Sequence, residues 1–139
     1  MTALPERFVI AAGPGDRTDA TAFVSRAMRL DDAAVIRVVE RSDGLLALWA
    51  HTGFDVLVTR SIFGSVAPAD LVADAATLAS RLAEGRPGEP VDPGMSLDSA
   101  WRGALPIRTG YRHLDDVPAR TVVELTREGA RLARDEGSN

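Results

Sequence analysis

"AVIRVVERSDGLLALWAHTGFDVLVTRSIF", residues 34–63, is the stretch of sequence that decides the fold. It contains three apolar runs, Ala34–Arg41, Leu45–His51 and Phe54–Phe63, separated by short segments that contain Gly44 and Gly53. Runs of this length that are rich in β-branched and aromatic residues are typical of strands, and glycine takes the positive φ that tight hairpin turns need. The stretch therefore predicts an antiparallel meander of three strands.

Side-chain alternation along these strands predicts which residues face the core. If each turn has two residues, Asp43-Gly44 and Thr52-Gly53, the core face carries Ile36, Val38, Ala47, Trp49, His51, Phe54, Val56 and Val58. The opposite face then combines Val39, Leu46, Leu48 and Leu57 with Arg37, Arg41, Asp55, Thr59 and Ser61. That face is too apolar to lie fully in water, so we expect a later segment or a second subunit to cover part of it. A shift of one residue in a turn would exchange the two faces.

Further elements flank the meander on both sides. Residues Arg7–Ala12 form a short apolar run that predicts a strand, and helical spacing of apolar residues predicts helices over Asp16–Leu30, Pro68–Ala83 and Pro118–Arg134. The prediction is an α+β fold in the order β-α-β-β-β-α, with a mainly antiparallel sheet of three to four strands, helices on one face and a C-terminal helix. Trp49 should pack against the helix over 68–83, so Trp49→Ala should cost about 3–5 kcal/mol.

Length and composition limit the classes of protein to which the chain can belong. A chain of 139 residues predicts one domain over 1–139, with an irregular segment rich in proline and glycine at 85–96. The absence of cysteine excludes disulfides, thiolate nucleophiles and cysteine-based metal sites. Residues Met1–Ala12 lack the pattern of a signal peptide and are too short to span a bilayer, which predicts a cytoplasmic protein with no membrane partner.

The charge pattern argues against nucleic acid as a partner. The net charge is −4, and all 16 basic residues are arginine, a bias typical of GC-rich coding. The element order is similar to that of a double-stranded RNA-binding domain, but Asp70 and Asp74 stand where such a domain needs lysines. We therefore predict no nucleic-acid binding.

The stretch "AAGPGDRTDA", residues 11–20, raises the question of a phosphate site. The pattern lacks the third glycine of a dinucleotide-binding fingerprint, because Thr18 follows Gly13 and Gly15 at that position. The lysine of a Walker loop is also missing. Asp16 and Asp19 suit the amino end of a helix and would repel a phosphate. The stretch predicts a capped turn from strand to helix, and no cofactor is predicted.

The densest polar cluster surrounds His113. A small anionic ligand is one candidate for this segment, with binding residues Arg108, Arg112, His113, Asp116 and Arg120. His113 is the candidate catalytic residue there, oriented by a carboxylate. No second histidine lies nearby in the sequence, so no metal site is predicted. His51 is interpreted as a ring at the rim of the core, near Ile36 and Phe54.

Two functional hypotheses follow. The first is a non-enzymatic interaction or assembly module that binds a protein partner or a second copy, through the apolar second face of the sheet or the C-terminal helix. The second is a small-molecule binding domain or small enzyme that uses residues 101–120 around His113. The first is preferred because apolar surface is in surplus and no motif of nucleophilic catalysis is present.

Overall fold

The computed structural model describes residues 3–137, which form two compact units, one ending at Gly103 and the other beginning at Ala104. The first unit contains a short 3₁₀ turn, Asp98–Ala100, and the elements β1 (Phe8–Ala11), α1 (Pro14–Leu30), β2 (Val35–Glu40), β3 (Leu45–His51), β4 (Leu57–Ala67), β5 (Asp70–Asp74) and α2 (Ala75–Glu84). The second unit contains α3, Ala119–Glu136. The prediction of one domain over 1–139 stays a prediction.

The strands form one antiparallel sheet in the order β1-β4-β3-β2-β5, so β3 is the central strand. Apolar side chains of α1 and α2 share one core cluster with the sheet, among them Val24 and Leu78. The predicted α+β class, the antiparallel sheet, the helices on one face and the C-terminal helix are confirmed. The sheet has five strands, whereas three to four were predicted.

The faces predicted for β3 are wrong, and the cause is the length of a turn. Val38 lies opposite Leu48, and Arg41 donates its amide to the carbonyl of Leu45, so three residues rather than two form the turn. Gly44, at φ 77°, occupies the left-handed position that ends such a turn. The extra residue moves Leu46 and Leu48 to the core and Trp49 to the opposite, outer face of the sheet.

The second hairpin differs from the prediction in the same way. Thr52 donates its amide to Val56, and it is Asp55, not Gly53, that adopts a positive φ, 57°. The fourth strand therefore begins at Leu57 rather than Phe54. Phe54 and Val56, predicted in the core, are exposed.

The amino-terminal part of the predicted helix over Pro68–Ala83 is a strand. Residues Asp70–Asp74 form β5, which pairs with β2, and the helix begins only at Ala75. The Asp74 carboxylate caps it by accepting the amide of Thr77 at 2.9 Å. Leu71 faces the core as a strand residue and Leu78 faces it as a helix residue. Because both are core residues, their spacing in the sequence resembled the apolar stripe of one continuous helix.

The segment rich in proline and glycine, together with the residues that follow it, covers both edges of the sheet. Val91 pairs with Val9 of β1 through two backbone bonds of 2.9 and 2.8 Å. On the other edge, Leu97 donates to the Val72 carbonyl at 3.3 Å, and the Asp98 carboxylate accepts the Val72 amide at 3.0 Å. An edge strand needs such cover to avoid pairing with other chains.

Candidate functional site

The amino end of α1 is occupied by the protein's own carboxylates. Asp16 accepts the amide of Gly13 at 3.1 Å and that of Phe63 at 2.9 Å, while Asp19 forms an ion pair with Arg60 at 2.6 Å. The predicted capped turn is confirmed, with the helix beginning two residues earlier, at Pro14. The Asp16 and Asp19 carboxylates put negative charge at this helix end, which opposes the binding of a phosphate there.

The residues predicted around His113 all lie in the second unit and are exposed. The structure brings two of them together: His113 Nε2 and Asp116 Oδ1 are 2.8 Å apart. No hydrogen bond or ion pair joins Arg112 or Arg120 to this pair within residues 3–137, and Arg120 lies in the first turn of α3. In the same described range, no group of three potential metal ligands occurs.

The outer face of the sheet carries a contact that the sequence did not reveal. The ring of Trp101 lies 4.4 Å from that of His51 and 5.6 Å from the guanidinium of Arg37. Arg37 in turn donates two bonds, of 2.9 and 2.7 Å, to Asp70. These bonds and the nearby charge of Asp98 raise the pKa of Arg37. Trp101 thus covers part of the outer face. The face for which cover was predicted included Leu46 and Leu48, which lie in the core instead, and the position predicted for His51 in the core rim is wrong.

Helix α3 is amphipathic, and none of its side chains is buried. Its apolar stripe consists of Val122, Leu125 and Leu132, which are all exposed, and the exposed fraction of Leu125 is 66 %. Ion pairs within the helix stabilise its polar side, since Arg131 pairs with Glu128 and lies 3.7 Å from Asp135. A stripe of this kind normally packs against another surface.

A groove of about 550 Å³ runs between α1 and α2. Its lining residues are mostly apolar, and Arg17 is the charged member: Pro14, Arg17, Thr18, Thr21, Ala22, Leu82 and Pro87. Arg17 is only 8 % exposed and donates to the carbonyl oxygens of Arg86, at 3.0 Å, and Arg81, at 3.4 Å. Arg17 thus caps the carboxyl end of α2, where carbonyls lack helical partners.

An apolar projection stands at the end of the β3–β4 hairpin, formed by residues 53–56 and called the tip. Phe54 is 81 % exposed, and Val56 is also exposed. The tip has a fixed shape, because Thr52 accepts the Phe54 amide at 3.3 Å and donates its own amide to Val56 at 2.9 Å. Sequence reasoning missed the tip because it placed both side chains in the core.

Within the described residues, no helix is both long and apolar enough to cross a membrane. Comparison with curated proteins and with solved structures gives no match to this chain. A family model described as a domain of unknown function (DUF8010) matches residues 4–103, which is nearly the whole of the first unit. The chain belongs to that family of domains, DUF8010.

Proposed function

We propose that the chain is a non-enzymatic assembly module that self-associates through α3. The observation that carries the proposal is the apolar stripe of this helix, which no described residue buries. Apolar surface concentrated on one stripe is costly to leave in water and marks a contact surface.

The spacing of the stripe fits a second copy of the same helix. Val122, Leu125, Gly129 and Leu132 follow intervals of three, four and three, which is the spacing of a coiled-coil seam. Gly129, without a side chain, lets two helices approach closely at the middle of the seam. A pair of identical helices would be related by a two-fold axis, with the same stripe on both sides.

The charges of α3 permit this pairing. Residues 119–136 contain Arg120, Arg127, Arg131 and Arg134 against Glu124, Glu128, Asp135 and Glu136, so the helix is neutral overall. Two helices with no net charge do not repel each other, whereas a strongly charged helix would favour a partner of opposite charge. The seam is short, so we expect a dissociation constant above about 1 µM.

The test is sedimentation velocity on the full chain between about 10 µM and 1 mM, a range set by the expected affinity. Leu125→Asp places a charge in the seam and should weaken the dimer at least about tenfold, the loss of one buried anchor. Arg127→Gln is the matched control, because it changes the net charge equally but lies on the side of the helix away from Leu125. A monomer over the whole range, or equal dimerisation of both variants, would refute the proposal.

A small anionic ligand at His113 is the second candidate, and the contact of 2.8 Å between His113 and Asp116 favours it. The carboxylate fixes the orientation of the imidazole, as it does for a general base. Thermal melting of the full chain with nucleotides, organic acids and divalent metals tests this. A rise in Tm that is lost in His113→Ala would support the ligand, and no rise with any compound would remove it.

A further inference from the structure

One side of β4 is open over residues 57–61, a stretch called the open edge, and we propose that it pairs with the open edge of a second copy across a two-fold axis. The pairing would join the two sheets into one. It lies in the first unit and uses no part of α3, so it goes beyond the contact proposed above and does not rest on it.

β1 covers only one end of β4. It pairs with residues 64–67, and just beyond it Ala12 donates its amide to the Phe63 carbonyl at 2.9 Å. The Phe63 amide points to the same side, where the Asp16 carboxylate accepts it at 2.9 Å. Within the described residues, no strand lies beside β4 on this side before Phe63.

Three residues of the open edge direct their backbone groups to this unpaired side. Backbone groups alternate between the two sides of a strand, so every second residue counted back from Phe63 points the same way. These residues are Leu57, Thr59 and Ser61. No residue in the range 3–137 bonds to their amides or carbonyls, because the ladder with β3 uses the residues between them. A row of unpaired groups of this kind is a template for another strand.

The open edge is accessible and lacks the usual protection against pairing. Thr59 and Ser61 are exposed. Val58 and Arg60, on the face toward α1, are exposed as well, so the helix does not cover the edge. Proteins commonly protect such an edge with a proline, a bulge or a free charge. This stretch has no proline, its ladder with β3 has no bulge, and its one charge, Arg60, is paired with Asp19 at 2.6 Å.

A two-fold axis at Thr59 pairs all the free groups of both copies. Thr59 then lies opposite Thr59, and Leu57 lies opposite Ser61 of the second copy, in pairs that each exchange two backbone bonds. Arg60 lies opposite Val58, so no like charges meet. An axis one residue away, at Arg60, would place the two arginines opposite each other and destabilise the contact.

The length of the open edge also fits a second copy. At one end the edge is closed, because Ala12 occupies the position next to Phe63. In the register described, Val56 of the incoming chain lies opposite Ile62, and there its hairpin turns back, since Val56 accepts the Thr52 amide at 2.9 Å. The incoming strand therefore ends before it reaches Ala12, whereas a longer extended segment would collide with that residue.

Sedimentation velocity of the full chain carrying Leu125→Asp, the parent here, measures this contact without α3. Thr59→Pro removes the amide at the axis, which has no partner within the chain, and the proline ring blocks a second strand. Association should weaken at least about tenfold, measured between about 10 µM and 1 mM. Thr59→Val keeps the amide and the β-branched shape, so this matched control should associate like the parent. Circular dichroism shows whether each variant is folded.

Amide hydrogen exchange of the parent identifies the paired residues. At high concentration the amides of Leu57, Thr59 and Ser61 should be protected, and dilution should return them to fast exchange. The Ile62 amide, which belongs to the ladder with β3, should be protected at both concentrations.

Three results would each overturn the proposal: a parent that stays monomeric at about 1 mM, edge amides that exchange equally fast at both concentrations, or a folded Thr59→Pro variant that associates like Thr59→Val. If Thr59→Pro does not fold, the exchange measurement decides. Failure of α3 pairing leaves these outcomes unchanged, because Leu125→Asp is present throughout.

Discussion

Replacing Leu48 by alanine tests which face of β3 carries the core. Leu48 is 1 % exposed and lies on the central strand, opposite Val38, with neighbouring strands on both sides. Because these strands cannot collapse into the space left behind, the substitution should cost about 3–4 kcal/mol, in the middle of the range for buried leucines. Leu57, half-buried at the start of β4, is the matched control, and Leu57→Ala should cost only about 1 kcal/mol.

Urea denaturation followed by circular dichroism measures both variants on the same scale. For a chain of this size the loss at Leu48 should lower the midpoint by about 2 M urea with little change in the slope. The melting temperature should fall by on the order of 10 °C. Equal losses for Leu48→Ala and Leu57→Ala, within about 0.5 kcal/mol, would show that the face assignment is wrong.

Two further pairs of substitutions test local features. A Cβ at Gly64 would lie 2.0 Å from a backbone oxygen of β1, so Gly64→Ala should cost about 3 kcal/mol or more. At Gly15 nothing lies within 4 Å of such a Cβ, so Gly15→Ala should stabilise α1 by about 0.5–1 kcal/mol. The melting temperatures of the two variants compare these effects. Asp70→Asn removes the charge that faces Arg37 and should cost about 1–2 kcal/mol, while the same change at the exposed Asp43 should stay within about 0.5 kcal/mol in urea titrations.

The class of fold could be predicted from the sequence because it depends on local patterns. Apolar alternation in Leu45–His51 and helical spacing in Asp16–Leu30 appear as predicted, apart from the helix beginning at Pro14. Register could not be predicted, because it depends on turn length: one extra residue beside Gly44 exchanged the faces of Leu48 and Trp49. Trp49 therefore lies opposite Arg37 on the outer face, and the predicted contact with α2 is wrong.

Contacts could be anticipated from the sequence only where the two partners are close in the chain. Asp16 caps Gly13, three residues away, and His113 contacts Asp116, also three residues away. The contact of Trp101 with His51 joins distant segments, so no spacing in the sequence could announce it. The groove has the same origin, because its walls come from α1, α2 and the segment after α2.

A two-fold contact through α3 is used up once two copies have paired, so by itself it stops at a dimer. In a chain carrying Thr59→Pro, which blocks the open edge of β4, the size of the complex should therefore level off at two chains as the concentration rises. Adding Leu125→Asp to that chain should leave single chains at the concentrations where it is otherwise dimeric. Growth beyond two chains in the Thr59→Pro variant would show that a surface other than the α3 stripe also binds.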